Sequence, residues 1–168
     1  MSGTIKLVLK RHTLLGRTIS VCRDALASET SDIKVDKILE VIRTGGEKIK
    51  GQIEEIRNKF ESELALTGDK KKAKLAVDAL KKKLPGVLWS GQFTTRDKDV
   101  PLSKKLVAYS GLMCGDLDSL GDKLAEVRKK LEASPHVAVL FLSPTADGLK
   151  VIFRAPADAE KHAGVFAR

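Results

Sequence analysis

The sequence is poor in aromatic side chains, in cysteine and in histidine, and it has no long apolar run. Only 4% of its 168 residues are aromatic, which long helices with solvated faces explain. Two cysteines, Cys22 and Cys114, are too few and too differently placed for a disulfide framework or a zinc site. A reducing compartment is expected, with both thiols serving as small buried hydrophobes. The three histidines give no cluster: His12 and His136 have no evident partners, and His162 reads as an exposed or capping residue. No apolar stretch approaches the roughly 20 residues of a membrane span. The opening Met-Ser-Gly-Thr-Ile-Lys lacks the apolar centre of a signal peptide. These absences lead to the expectation of a soluble, cytoplasmic protein with no membrane partner.

What the chain has in quantity is charge. Charged residues make up 32% of it, and 31 Lys and Arg against 22 Asp and Glu leave a formal +9. Such an excess favours a polyanionic partner, nucleic acid above all, although a basic surface without a ligand gives the same composition. An apolar fraction of 42% and this length suit one domain, or one core with a helical extension. No internal repeat or low-complexity linker interrupts it.

Short β-branched runs at residues 4–10 and 17–22 predict two strands, or a strand and a helix start. Val35, Ile38, Leu39 and Ile42 fall at helical spacing before the Gly45-Gly46 stop. A second helix is expected from Glu47 to about Leu66, with Ile49, Ile53, Ile56, Phe60 and Leu64 on one face. A third is expected over 70–84, turning Leu75, Ala76, Ala79 and Leu80 inward, until Pro85-Gly86 ends it. Beyond Pro85 the pattern becomes extended, and there we place the boundary between a mainly helical part, 1–85, and an α/β part, 86–168. In the second part residues 94–99 read as a loop and 101–109 as a short helix or a strand approach. Strands follow at 110–116, 137–142 and 149–154, with helices at 119–133 and 158–167. The order strand, helix, strand, strand, helix is that of a split βαβ sheet in an α+β fold. The two helices are expected to cover one face and leave the other free for chemistry.

Asp116 and Asp118 carry the strongest chemical signal. On a strand, residues two apart point to the same side, so the pair can share a cation. Hard carboxylate oxygens suit Mg²⁺ or Mn²⁺ and not zinc. The bland alternative is that Asp118 or Ser119 caps the helix that follows. The loop 143–148, Ser-Pro-Thr-Ala-Asp-Gly, is either a hairpin turn or, with Lys150 at its exit, a set of donors for phosphate oxygens. Lys81, Lys82 and Lys83 similarly read as a solvated helix face or as contacts to nucleic-acid phosphates.

Taken in order, Leu84-Pro85, Trp89-Ser90-Gly91-Gln92-Phe93, Ser110-Gly111-Leu112, Asp116-Leu117-Asp118, Phe141-Leu142-Ser143-Pro144, Gly148-Leu149-Lys150 and His162 form a set. That set resembles the VirE N-terminal or primase-polymerase-like domains of the archaeo-eukaryotic primase superfamily, over about residue 34 to the end. The resemblance implies an RRM-like split βαβ module and a metal-dependent nucleotidyltransferase of DNA replication in a phage or mobile element. It further implies that Asp116 and Asp118 are catalytic ligands of Mg²⁺ or Mn²⁺, with Ser143 and Lys150 as contacts to the incoming nucleotide's phosphates. DNA template and primer, nucleoside triphosphates and a helicase are its implied partners. Lys150 stands where most of the superfamily has His, as is common in the VirE-like branch. The superfamily's third acidic motif lies further along a full-length domain, so the chain reads as an N-terminal portion. A nucleic-acid-binding module of the same fold without activity is the alternative.

Overall fold

A computed structural model describes residues 8–9, 14, 16–156 and 158. All but the first residue of the helix expected at 158–167, most of the strand expected at 4–10, and His12 and His162 lie outside the described residues.

The first elements are three short strands, β1 Val8–Leu9, β2 Thr18–Cys22 and β3 Ser31–Lys34, and then α1 Val35–Thr44. Val35, Ile38 and Leu39 are the buried positions of α1, the stripe a 3.6-residue period dictates. Gly45 closes this helix at φ +81, a left-handed conformation that needs no Cβ, and its N–H bonds back to the Val41 carbonyl. Next come α2 Glu47–Thr67, α3 Lys70–Ala76 and α4 Asp78–Lys81. They are followed by β4 Gly86–Leu88, β5 Gly91–Phe93, α5 Leu102–Lys105 and β6 Leu106–Tyr109. The chain then runs through β7 Leu112–Leu117, a 3-10 turn at Gly121–Lys123, α6 Leu124–Ala133, β8 Val137–Leu142 and β9 Leu149–Arg154.

One sheet has the order β1-β8-β9-β7. Both β7 and β8 pair antiparallel with β9, which lies between them, so β7 and β8 run parallel to each other with α6 as their crossover. This is a split βαβ arrangement within an α+β fold. A second sheet has the order β3-β2-β4, and β5 and β6 form a two-stranded ribbon. The strands β2 and β4 therefore pair across the boundary expected at Pro85. One core cluster likewise draws Ile19, Val35 and Ile38 from before it and Trp89, Leu112 and Ile152 from after it.

Alternation along β9 divides the central sheet's side chains between two packing layers. Leu149 and Val151 pack with Leu140 and with Val127 and Leu131 of α6. Ile152 packs the opposite way, with Leu112, Val139, Trp89 and α1. The face expected to be free is therefore covered over much of its area, because α1 and Trp89 bury the aliphatic side chains that the strands place there.

The third expected helix is also different. It breaks at Val77 into α3 and α4, although neither Gly nor Pro marks the place. The inward stripe is Ala73, Val77, Leu80 and Leu84, packed on Ile56 and Phe60 of α2. Leu75, expected inside, is 69% exposed. The small side chain of Ala73 fits against α2, and choosing that face turns Leu75, two residues on, to the other side. This packing, which local propensity does not report, accompanies the inward face of Ala73 and Val77.

Candidate functional site

The antiparallel register of β7 and β9 sets Asp116 opposite Lys150. Lys150 Nζ donates to Asp116 Oδ2, with the two side chains 30% and 46% exposed. Solvent screens such a pair, so it contributes about 0–1 kcal/mol to stability. A stronger partner can therefore displace either member at small cost.

Asp118 lies one residue past β7. Its Oδ1 is 3.9 Å from Lys74 Nζ of α3, and the neighbouring Ser119 Oγ accepts from the same ammonium at 2.8 Å. Neither residue caps α6, which begins at Leu124 after Lys123, with no side-chain cap. Ser119 holds φ +58, which is uncommon for a residue other than Gly. The two aspartates thus have separate lysine partners, Asp116 from β9 and Asp118 from α3. Among the described residues no group of three or more His, Cys, Asp or Glu side chains is placed to hold a metal ion. Mg²⁺, however, is commonly held by one or two carboxylates with water and substrate phosphate oxygens completing its shell. The donor chemistry of Asp116 and Asp118 fits that pattern.

The loop 143–148 is closed onto itself. Ser143 and Thr145 are buried, and their hydroxyl oxygens lie 3.4 Å apart. The Ser143 N–H donates to the Gly148 carbonyl at 2.9 Å, and Ala146 turns the chain at φ +58. Helices α2 and α3 grip the loop from outside. Arg57 Nε donates to the Pro144 carbonyl at 3.2 Å, and Lys70 Nζ is 2.7 Å from Asp147 Oδ1. Lys74 Nζ is 3.9 Å from Asp147 Oδ2, an oxygen that is buried without a hydrogen bond. Lysines at a helix N-terminus are unfavourable for the helix dipole. Asp69 compensates by accepting the N–H groups of Lys71 and Lys72, and Lys70 is neutralised by Asp147.

Lys82 pairs with Asp78 one turn back at 2.7 Å, while Lys83 is exposed and Lys81 half-buried. Of the residues singled out in the sequence, the structure joins Asp116 to Lys150. It turns Ser143 into its own loop and leaves Lys81, Lys82 and Lys83 on α4 and just beyond it. The roles of Lys70, Lys74 and Asp147 escaped the sequence reading because nothing local links a helix N-terminus to a loop more than seventy residues away. The unfavourable lysine run after Asp69 was the one available signal.

Residues 79–165 match the family model described as BT4734-like, N-terminal domain. No curated protein and no solved structure matches the chain.

Proposed function

The chain belongs to the BT4734-like, N-terminal domain family, and for this member we propose metal-dependent nucleotidyl transfer on DNA, in the manner of a primase-polymerase-like domain. The observation that carries the reading is the Asp116–Lys150 pair, solvent-accessible at one end of the split βαβ sheet. Lys150 is a hydrogen-bond donor for phosphate oxygens, held in reserve by Asp116. When nucleotide arrives, the ammonium exchanges a carboxylate for phosphate oxygens, a charge-assisted contact of the same kind. The Asp116 carboxylate is thereby released as a ligand, and Asp118, two residues on, would be the second once it leaves Lys74. A bound Mg²⁺ or Mn²⁺ supplies charge neutralisation and polarisation of the phosphoryl group. The 3′-hydroxyl of a primer or initiating nucleotide attacks the α-phosphate and loses its proton to solvent, forming the new phosphodiester and expelling pyrophosphate. Ser143, with its hydroxyl inside the loop, shapes the turn that aims Lys150. The basic surface, to which Lys81, Lys82 and Lys83 contribute, holds the nucleic acid as point charges without sequence preference.

The test is nucleotide incorporation on primed and unprimed DNA templates with Mn²⁺ or Mg²⁺. The wild-type chain is expected to extend or prime, and Asp116→Asn to lose this while retaining its fold. DNA binding that weakens steeply with salt, without incorporation under any metal, would identify a binding module instead. Incorporation unchanged by Asp116→Asn would overturn the proposed site.

A further inference from the structure

A cavity of about 370 Å³ lies at the other end of β7, lined by Arg17, Thr18, Gln92, Tyr109, Ser110 and Gly111 among others. Gly111 immediately precedes β7 and Asp116 is near its end. Five strand residues at about 3.3 Å each separate the cavity from the Asp116–Lys150 site by roughly 17 Å. The two are distinct sites.

Three features make this cavity more than a gap in packing. Its charged lining residue is Arg17, and among the described residues no carboxylate forms an ion pair with it. A guanidinium has five N–H donors, and the Arg17 group spends Nη1 on the Ser110 carbonyl, which fixes its orientation. Space is kept for it, because Gly111 sits at φ +67 and a Cβ there would come within 3.1 Å of Arg17 Nη1. The polar neighbours are also oriented. Gln92 Nε2 donates to Asp32 Oδ2 at 2.6 Å, which leaves the amide oxygen of Gln92 as an acceptor among the cavity's lining groups. Tyr109 lines the same space, and burial, and then Asp158, push its phenol above the ordinary value.

We propose that this cavity binds a small ring-bearing molecule carrying one phosphate or carboxylate group. The oxyanion would be held by the fixed Arg17 guanidinium, and the ring would lie between Tyr109 and Gln92. The volume is at the small end of ligand pockets, enough for a mononucleotide or an aromatic acid. One guanidinium matches one oxyanion, which argues against a triphosphate.

The experiment uses the whole wild-type chain and three probes: adenosine monophosphate, 4-hydroxybenzoate and inorganic phosphate. Arg17 modification by phenylglyoxal is followed by mass spectrometry, with chloride as the ionic-strength control. Adenosine monophosphate, 4-hydroxybenzoate or both are expected to slow modification of Arg17 at least about tenfold at saturation, while inorganic phosphate does so weakly. The arm that protects better distinguishes a phosphate from a carboxylate ligand. Arg17→Gln is expected to bind the protecting probe roughly ten- to a hundredfold more weakly by calorimetry. Protection no greater than chloride gives, or full binding by a folded Arg17→Gln protein, overturns the proposal. Because the wild-type labelling needs no variant, poor folding of Arg17→Gln leaves the test intact.

Discussion

Cys22 ends β2 with 2% of its surface exposed, and burial pushes its thiol above the ordinary value, with Arg96 opposing and Asp24 reinforcing the shift. The thiol loses its proton more readily in the unfolded chain than in the folded one. The stability it contributes is therefore complete below the unfolded value near 9.0 and is lost as pH rises through the higher folded value. Urea midpoints of the wild-type protein should fall from about pH 9 upward, and Cys22→Ala should remove part of that slope. Tyr109, raised in the same direction, leaves a remainder. Equal slopes for the two proteins would show that Cys22 is not the group responsible. At this scale the sequence was informative about identity and silent about partnership. Asp116 and Lys150 were each singled out for separate roles, as metal ligand and phosphate contact. Only the β7–β9 register, in which Asp116 faces Lys150, makes them partners.

The strands β8 and β9 were legible to the residue, at 137–142 and 149–154, because each is a continuous apolar or alternating run bounded by turn residues. β3 was not, since Ser-Asp-Ile-Lys is polar and mostly exposed and is recruited only by pairing with β2. The inward face of α3 was hidden for the same kind of reason: Ala73 and Val77 are buried against Ile56 and Phe60 of α2, which no local pattern reports. The loop between β8 and β9 gives a prediction at this scale. A Cβ on Gly148 would collide with the Leu117 carbonyl oxygen, whereas a Cβ on Gly51, inside α2, would meet nothing within 4 Å. Gly148→Ala should cost about 1–3 kcal/mol and lower Tm by several degrees, as overpacking does. Gly51→Ala should raise stability by about 0.5–1 kcal/mol through helix propensity alone. Calorimetric melting of the two variants checks both, and an unchanged Tm for Gly148→Ala would mean that the loop is not pressed against the end of β7.

Across the whole molecule, residues before Pro85 build the setting of the sheet's open end. Lys70 and Lys74 neutralise Asp147, Arg57 holds Pro144, and Lys74 reaches Asp118 and Ser119. The helical part thus positions both the loop that leads to Lys150 and the segment that carries Asp118, so the two sequence regions act as one unit at the site. This was not legible in the sequence, where the helices read as a basic surface and the strands as the chemistry. The proposed site requires Lys150 to exchange Asp116 for nucleotide phosphate as Asp116 turns to a divalent cation. Calorimetric titration of a nucleoside triphosphate into the wild-type chain, Lys150→Ala and Asp116→Asn, each with and without Mn²⁺, tests it most directly. Wild-type binding is expected to require Mn²⁺, affinity to fall roughly tenfold to a hundredfold in Lys150→Ala, and binding by Asp116→Asn no longer to depend on the metal. No binding by the wild-type chain in either condition, or equal affinity in Lys150→Ala, would contradict it.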